Sequence, residues 1–295
     1  MTIRVEAPAK VNLFLGVGPC RRDGYHEVHT VLCALDLCDE VVVESADTLR
    51  VDVDPSLGID QSENLAWRAA EALGAAVGRD AAVHISLRKR IPMAGGLGGG
   101  SSDAAAVLAA LERAWGLAHE DPRTSAVARL LGADVPFLLD GGCAVLGGRG
   151  DALERRLATP RVCFALVNPG VPVSTAAAYA GLDRRPFEAS AGTRPIEAAI
   201  EAGDGLGIGA ALFNGITDAS VRIQPSIAEE LLALRSAHGC LGAAMAGSGS
   251  TVFGVFDVED DAADAAREAS DRGLWTAVAR PRVGGTRASV RGAVL

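Results

Sequence analysis

The stretch Pro92-Met-Ala-Gly95-Gly96-Leu97-Gly98-Gly99-Gly100-Ser101-Ser102-Asp103-Ala104 constrains this chain more than any other. Five of the six residues from Gly95 to Gly100 are glycine, so backbone N–H groups can converge on one point without a Cβ in the way. Upstream, Val83, Ile85 and Leu87 alternate with His84, Ser86 and Arg88, which is the period of a strand, and His84 reads as one of its exposed residues. Downstream, Val107, Leu108, Leu111 and Trp115 follow helical spacing, and Gly116 is a C-terminal stop. A strand, a glycine loop and a helix start, in that order, make an anion site suited to a triphosphate. Ser101 and Ser102 are placed to cap the helix, contact phosphate or hold Mg2+. A P-loop would need GxxxxGK[ST], and no lysine follows here. A dinucleotide fingerprint would need a third glycine where Asp103 stands.

The rest of the chain reads as α+β. At 295 residues, two domains are expected rather than one. Val11, Leu13, Leu15 and Val17 alternate with Lys10, Asn12 and Phe14, the pattern of a half-buried strand that places Lys10 and Asn12 on one side. Short strands follow at Val41–Glu44 and Leu49–Val53, then a helix over Asn64–Leu73 and another over Thr124–Leu131. Composition shifts at Gly147–Gly150, where Arg149-Gly150-Asp151 reads as a glycine-rich turn, and again at Ala158–Pro160. These shifts predict domains over 1–157 and 158–295. The second contains strands at Val162–Val167, Ala243–Met245, Val252–Phe256 and Trp275–Ala279. Its helices fall near Ser174–Leu182, Ile196–Ala202, Ile227–His238 and Asp260–Arg272. The strands at 243–245 and 252–256 lie too close for a helical crossover, which argues against one doubly wound sheet.

A net charge of −9 disfavours a nucleic-acid or anionic-membrane surface. Lysine occurs only at Lys10 and Lys89 in a chain otherwise rich in arginine, which singles those two out as compact, mobile ammonium groups. The six cysteines form no CxxC pair, and the expectation is buried free thiols in a reducing cytosol. With Glu6 and Lys10 inside its first apolar stretch and no run of about 18 apolar residues, the chain reads as cytoplasmic, without signal peptide or membrane span.

Residues 89–104, KRIPMAGGLGGGSSDA, resemble the second motif of the GHMP kinases. Ala7-Pro-Ala-Lys10-Val-Asn12-Leu resembles their first motif, and Ala243-Ala-Met-Ala-Gly247-Ser248-Gly249-Ser250-Thr251 their third, a second glycine loop that closes on the site. Three motifs in order span nearly the whole chain. The resemblance implies a two-domain GHMP kinase fold, with an N-terminal nucleotide-binding α+β domain, a C-terminal ferredoxin-like domain and the active site between them. It implies ATP and Mg2+ as cofactors. ATP contacts fall on Gly95, Gly96, Leu97, Gly98, Gly99, Gly100, Ser101 and Ser102, with Asn64 and Leu65 on the adenine side, Lys89 reaching the nucleotide and Ser102 on the metal.

The segment Asp23-Gly24-Tyr25-His26-Glu27-Val28-His29-Thr30 resembles the GHMP branch whose substrate carries a cytidine diphosphate. There a tyrosine stacks on cytosine and the next histidine hydrogen-bonds it, roles that carry over to Tyr25 and His26. A planar ring beside a donor and an acceptor suits a base. A turn at Asp23-Gly24 followed by a strand is expected at the same residues. Val173-Ser-Thr175-Ala-Ala-Ala-Tyr179 resembles the segment that closes the other side, and Tyr25 and Tyr179 are the chain's two tyrosines. Asn12, Thr175, Gly247 and Ser248 are the remaining substrate contacts implied. Leu131-Gly-Ala-Asp134-Val-Pro136 resembles the segment with the catalytic aspartate. Asp134 would accept the hydroxyl proton, with Lys10 beside it and Pro136 holding the next turn extended. The implied reaction moves the γ-phosphoryl of ATP to the 2-hydroxyl of a cytidine-diphosphate-linked methylerythritol, on the non-mevalonate route to isoprenoid precursors, in a monomer or homodimer. Homoserine and mevalonate kinases lack the DGYH segment. A non-catalytic relative would be expected to have lost Lys10 or Asp134, and a mevalonate-branch decarboxylase has no use for a cytosine clamp.

Overall fold

The computed structural model describes residues 1–22, 24–56, 58, 60–182 and 192–292. Asp23, half of the expected turn, lies outside them. The first half of the chain builds β1 (Thr2–Cys20), β2 (His26–Ser45), β3 (Arg50–Asp54), α1 (Leu65–Val77), β4 (Val83–Arg88), α2 (Gly99–Trp115), α3 (Pro122–Leu131), α4 (Asp134–Asp140), β5 (Cys143–Gly147) and β6 (Ala152–Leu157). The second half builds β7 (Cys163–Asn168), α5 (Thr175–Leu182), α6 (Arg194–Ala202), α7 (Gly205–Ala211), β8 (Phe213–Asn214), α8 (Thr217–Ile223), α9 (Ser226–Ser236), β9 (Cys240–Met245), β10 (Val252–Phe256), α10 (Glu259–Asp271) and β11 (Trp275–Ala279).

The second sheet has strand order β11-β7-β10-β9 with antiparallel neighbours throughout. Helices lie between β7 and β9 and between β10 and β11, so the half is a βαββαβ unit, the ferredoxin-like arrangement. The first sheet has order β3-β4-β2-β1-β8, with β5 also on β2 and β6 beyond it. The halves are interleaved. β8 pairs in parallel with β1, and beyond β11 the tail returns to the first sheet through bridges Leu35↔Pro281 and Arg4↔Arg291. Arg287 of that tail is buried between Glu112 of α2 and Asp140 of α4, at 2.9 and 2.8 Å.

β1 explains how the site is aimed. Ile3, Val5 and Ala7 join the core under α2, whereas Ala9, Val11 and Leu13 join the core shared with Phe164, Leu166 and Phe253 of the second sheet. All six positions are odd, so the chain has changed face between Ala7 and Ala9. Side chains alternate along a strand, and such a reversal requires an irregularity. One occurs in the β1–β2 ladder between Pro8 and Lys10, and proline, which cannot donate to a ladder, belongs at such a point. After it, Lys10 and Asn12 share one side. The strand is not half-buried as its alternation suggests. It is buried on both faces from Ala7 to Gly16, because helix covers one face and the second sheet the other. Phe14 leaves the Lys10 side at a second irregularity and packs in the inter-sheet core.

Other differences are local. Pro136 lies in the first turn of α4 rather than in an extended turn, a position where its missing N–H costs nothing. The composition shift at Gly147–Gly150 is the turn of the β5–β6 hairpin. The six cysteines are free, but Cys20 is exposed and Cys38 and Cys240 are half-buried.

Candidate active site

A cavity of about 520 Å³ lies where the motifs meet, and Lys10, Asn12, Gly98, Ser101, Asp134, Arg149, Val173, Thr175 and Tyr179 line it. Gly96, Gly247 and Ser248 also line it. α2 begins at Gly99, with Gly98 as its cap in the left-handed region at φ 75° and no side-chain cap hydrogen bond. Ser101 and Ser102 therefore sit inside the first turn and do not cap it. The first N–H groups of a helix lack intrahelical partners, so this 17-residue helix presents its positive end at the cavity wall, at Gly98 and Ser101. Leu65, just after the α1 cap Asn64, approaches the outer side of Gly100: a Cβ there would sit 3.6 Å from Leu65 Cδ1. Asn64 Oδ1 accepts from Ala66 N–H at 2.9 Å, so its side-chain oxygen is engaged in capping.

Gly96 has a packing reason as well. Its φ is 78°, and a Cβ would lie 2.0 Å from the Ala246 carbonyl oxygen, so the first glycine loop touches the third-motif loop backbone to backbone. Thr251 N–H donates to Gly95 O at 3.1 Å, and Lys10 N–H to Leu97 O at 2.9 Å. Leu97 is buried in the inter-sheet core, so its side chain anchors the loop while its backbone faces β1.

The structure places Lys89 behind the loop, away from the cavity wall. Its ammonium bridges Asp39 of β2 and Asp103 of α2, the latter at 2.5 Å, and all three side chains are buried. Asp39 Oδ1 also accepts from Arg90 and Ile91 N–H, at 2.5 and 2.9 Å. The group thus staples the strand that enters the loop to the helix that leaves it. Burial pushes the Asp103 carboxyl up to about 7, against the pull of Lys89. Burial disfavours the Lys89 charge, but the two carboxylates outweigh it and raise its pKa.

Lys10 Nζ lies 3.4 Å from Asp134 Oδ2 and donates to Asn12 Oδ1 at 2.9 Å. Asp134 is the first residue of α4, the end at which a helix favours negative charge. Asn12 Oδ1 accepts a second bond from Gly247 N–H at 3.0 Å, which ties β1 to the third-motif loop. That loop is held from beneath by Asn214 of β8, whose Nδ2 donates to Met245 O at 2.7 Å and Gly247 O at 2.8 Å. Ser248 Oγ and Thr175 Oγ1 share a hydrogen bond at 2.8 Å, which joins the loop to the start of α5.

The structure also brings His26 and Tyr179 together, with ring centroids 5.2 Å apart, although His26 and Tyr25 do not themselves line the cavity. Tyr179 lines the cavity, and burial, with the Asp134 charge as a lesser cause, pushes its phenol up to about 12. Tyr25 is 55% exposed, with the Arg149 guanidinium 4.8 Å above its ring. Arg149 pairs with Asp151 at 2.8 Å in the β5–β6 turn. Burial works against the Asp151 charge, but the hydrogen bonds from Arg149 hold its carboxyl below the usual range.

Ser101, not Ser102, reaches the cavity; Ser102 is buried, with no hydrogen-bond partner for its hydroxyl among the described residues. No group of three His, Cys, Asp or Glu side chains is placed to hold a metal among the described residues. The Ser101 hydroxyl fits an ion carried mostly by phosphate oxygens and water, the usual manner of Mg2+. Asp39, Asp103, Thr30, Arg149 and Asn214 border or support the cavity without a motif of their own that marks them. Asp103 lay inside the loop motif and Thr30 and Arg149 inside singled-out segments, whereas Asp39 and Asn214 carry no local signal.

The models for the GHMP kinases N terminal domain and the GHMP kinases C terminal match residues 64–142 and 196–273. The chain belongs to the GHMP kinases. Similar proteins carry the name 4-diphosphocytidyl-2-C-methyl-D-erythritol kinase: one from Salinispora tropica is 42% identical over 91% of this chain and 87% of its own length. One from Geobacter metallireducens is 40% identical over 94% of this chain and 98% of its own. A crystal structure of 4-(cytidine 5'-diphospho)-2C-methyl-D-erythritol kinase superposes with a TM-score of 0.79 at 37% identity, over 95% of this chain and all of that one. A homoserine kinase from Cytophaga hutchinsonii shares the fold, with a TM-score of 0.74 at 21% identity over 98% of this chain and 96% of that one. Among the described residues no helix is long and apolar enough to cross a membrane.

Proposed function

We propose that this GHMP kinase transfers the γ-phosphoryl of ATP to the 2-hydroxyl of 4-diphosphocytidyl-2-C-methyl-D-erythritol, a step toward isoprenoid precursors. The observation that carries the reading is one cavity lined by an uncapped helix start, the Lys10–Asp134 pair and Tyr179, which packs on His26. We assign residues 1–157 to the nucleotide side and 158–295 to the half that completes the substrate site.

Phosphoryl transfer asks a protein mainly for positioning and for charge stabilisation. The start of α2 receives the phosphates, and Asn64 and Leu65 border the adenine. Ser101 would face Mg2+ bound with ATP, which would supply neutralisation of the charge that develops on the phosphates. Asp134 takes the proton of the attacking hydroxyl. Lys10 spends one proton on Asn12 and faces Asp134, which leaves a donor for the oxygen of the transferring group. Tyr25 and Tyr179 supply faces for the cytosine, and His26 its hydrogen bond.

Competition binding tests this reading against a homoserine or mevalonate kinase. CDP should occupy the site, and UDP should bind at least about tenfold more weakly, because a site built to hydrogen-bond one base leaves polar groups unpaired with the other. Equal affinities, or no binding of CDP, would contradict it.

A further inference from the structure

Asn12 stands where three hydrogen bonds meet, and their directions follow from the chemistry of the partners. Its Oδ1 receives Lys10 Nζ at 2.9 Å and Gly247 N–H at 3.0 Å, two groups that only donate. Its Nδ2 faces Thr30 Oγ1 at 2.9 Å. A threonine hydroxyl has one proton, and that of Thr30 is committed to the Phe14 carbonyl at 2.6 Å. Toward Asn12 the Thr30 oxygen can therefore only accept. The amide is oriented from both ends by partners that agree, and Thr30, Asn12 and Lys10 are all buried.

We propose that Thr30 is a positioning residue for phosphoryl transfer: anchored on Phe14, its hydroxyl turns the Asn12 amide so that Oδ1 holds Lys10 beside Asp134. The proposal rests on the assignment of Lys10 and Asp134 to the chemistry. Without the hydroxyl, Asn12 Nδ2 loses its acceptor in a buried place, a costly state. The amide recovers by re-aiming Nδ2 at water in the cavity that Asn12 lines, and this takes Oδ1 off Lys10. The ATP phosphates, received at the start of α2, are not touched by that movement.

The test is steady-state kinetics on Thr30→Val, which keeps the branched shape, and Thr30→Ser, which keeps the hydroxyl. Thr30→Val should lower kcat about 10- to 100-fold, the worth of a buried hydrogen bond in a charged network, with KM for ATP unchanged. Thr30→Ser should stay within about threefold of wild type. Wild-type kcat in Thr30→Val, equal losses in both variants, or a parallel rise in KM for ATP would each overturn the proposal. Should Thr30→Val not fold, Thr30→Ala compared with Thr30→Ser is read on the same terms. An active wild type with an unaffected Thr30→Val defeats the proposal alone, whereas a wild type inactive on the cytidylyl substrate defeats the functional reading and the proposal with it.

Discussion

The proposed function assigns two walls to one substrate, a reaction wall with Lys10, Asn12 and Asp134 and a base wall with Tyr25, His26 and Tyr179, and the two are built from different material. Lys10 and Asn12 stand on the longest ladder of the molecule, buried on both faces, and each polar atom around them is matched by a partner from another element. Tyr25 sits at the mouth of β2, more than half exposed, and Tyr179 sits on the eight-residue helix α5. A reaction centre tolerates little misplacement, and crossed ladders with buried networks hold groups in place. Base stacking needs a flat face and tolerates some sliding, so the exposed entry to β2 and a short helix suffice for the two tyrosines, while His26 starts β2 itself.

If the walls are separable, substitutions should split kcat from KM. The largest effect is expected at Asp134. Asp134→Asn should lower kcat about 10²- to 10⁴-fold while the KM for ATP changes little, since the proposed phosphate site is the start of α2 and not Asp134. Turnover at the wild-type rate would make Asp134 only the first residue of α4. On the other wall, Tyr25→Ala should raise KM for the cytidylyl substrate about 5- to 150-fold, the worth of one lost stacking face, with ATP affinity preserved. Tyr25→Phe keeps the ring and should be mild. His26→Ala should weaken discrimination between cytidine and uridine forms. Equal weakening of ATP and the cytidylyl substrate in Tyr25→Ala would join the walls again and make the tyrosine structural.

The same contrast governs what the sequence made legible. The alternation around Lys10 and Asn12 placed both on one side, and the glycine run announced the α2 start, because those features are local. That β1 is buried on both faces was not legible, since the covering second sheet begins some 150 residues later at Cys163. Lys89 stood out as one of two lysines, but its acidic partners come from β2 and α2, and only the fold shows the ammonium turned to the back of the loop. Asp134 was found through its motif, while the helix it begins was hidden by Pro136, which in the first turn supports a helix and elsewhere breaks one. Asn214 holds the third-motif loop from a two-residue strand, too short for any periodicity to reveal.

The central claim is that both walls act on one cytidylyl alcohol. An assay coupled to ADP release, run with 4-diphosphocytidyl-2-C-methyl-D-erythritol, homoserine and mevalonate at matched concentrations, tests it most directly. The account predicts ATP-dependent turnover with the first compound and a kcat/KM at least about 10³-fold lower for the other two, since neither carries a base for the Tyr25 wall. Comparable kcat/KM for homoserine or mevalonate, or no turnover of the cytidylyl compound, would contradict it.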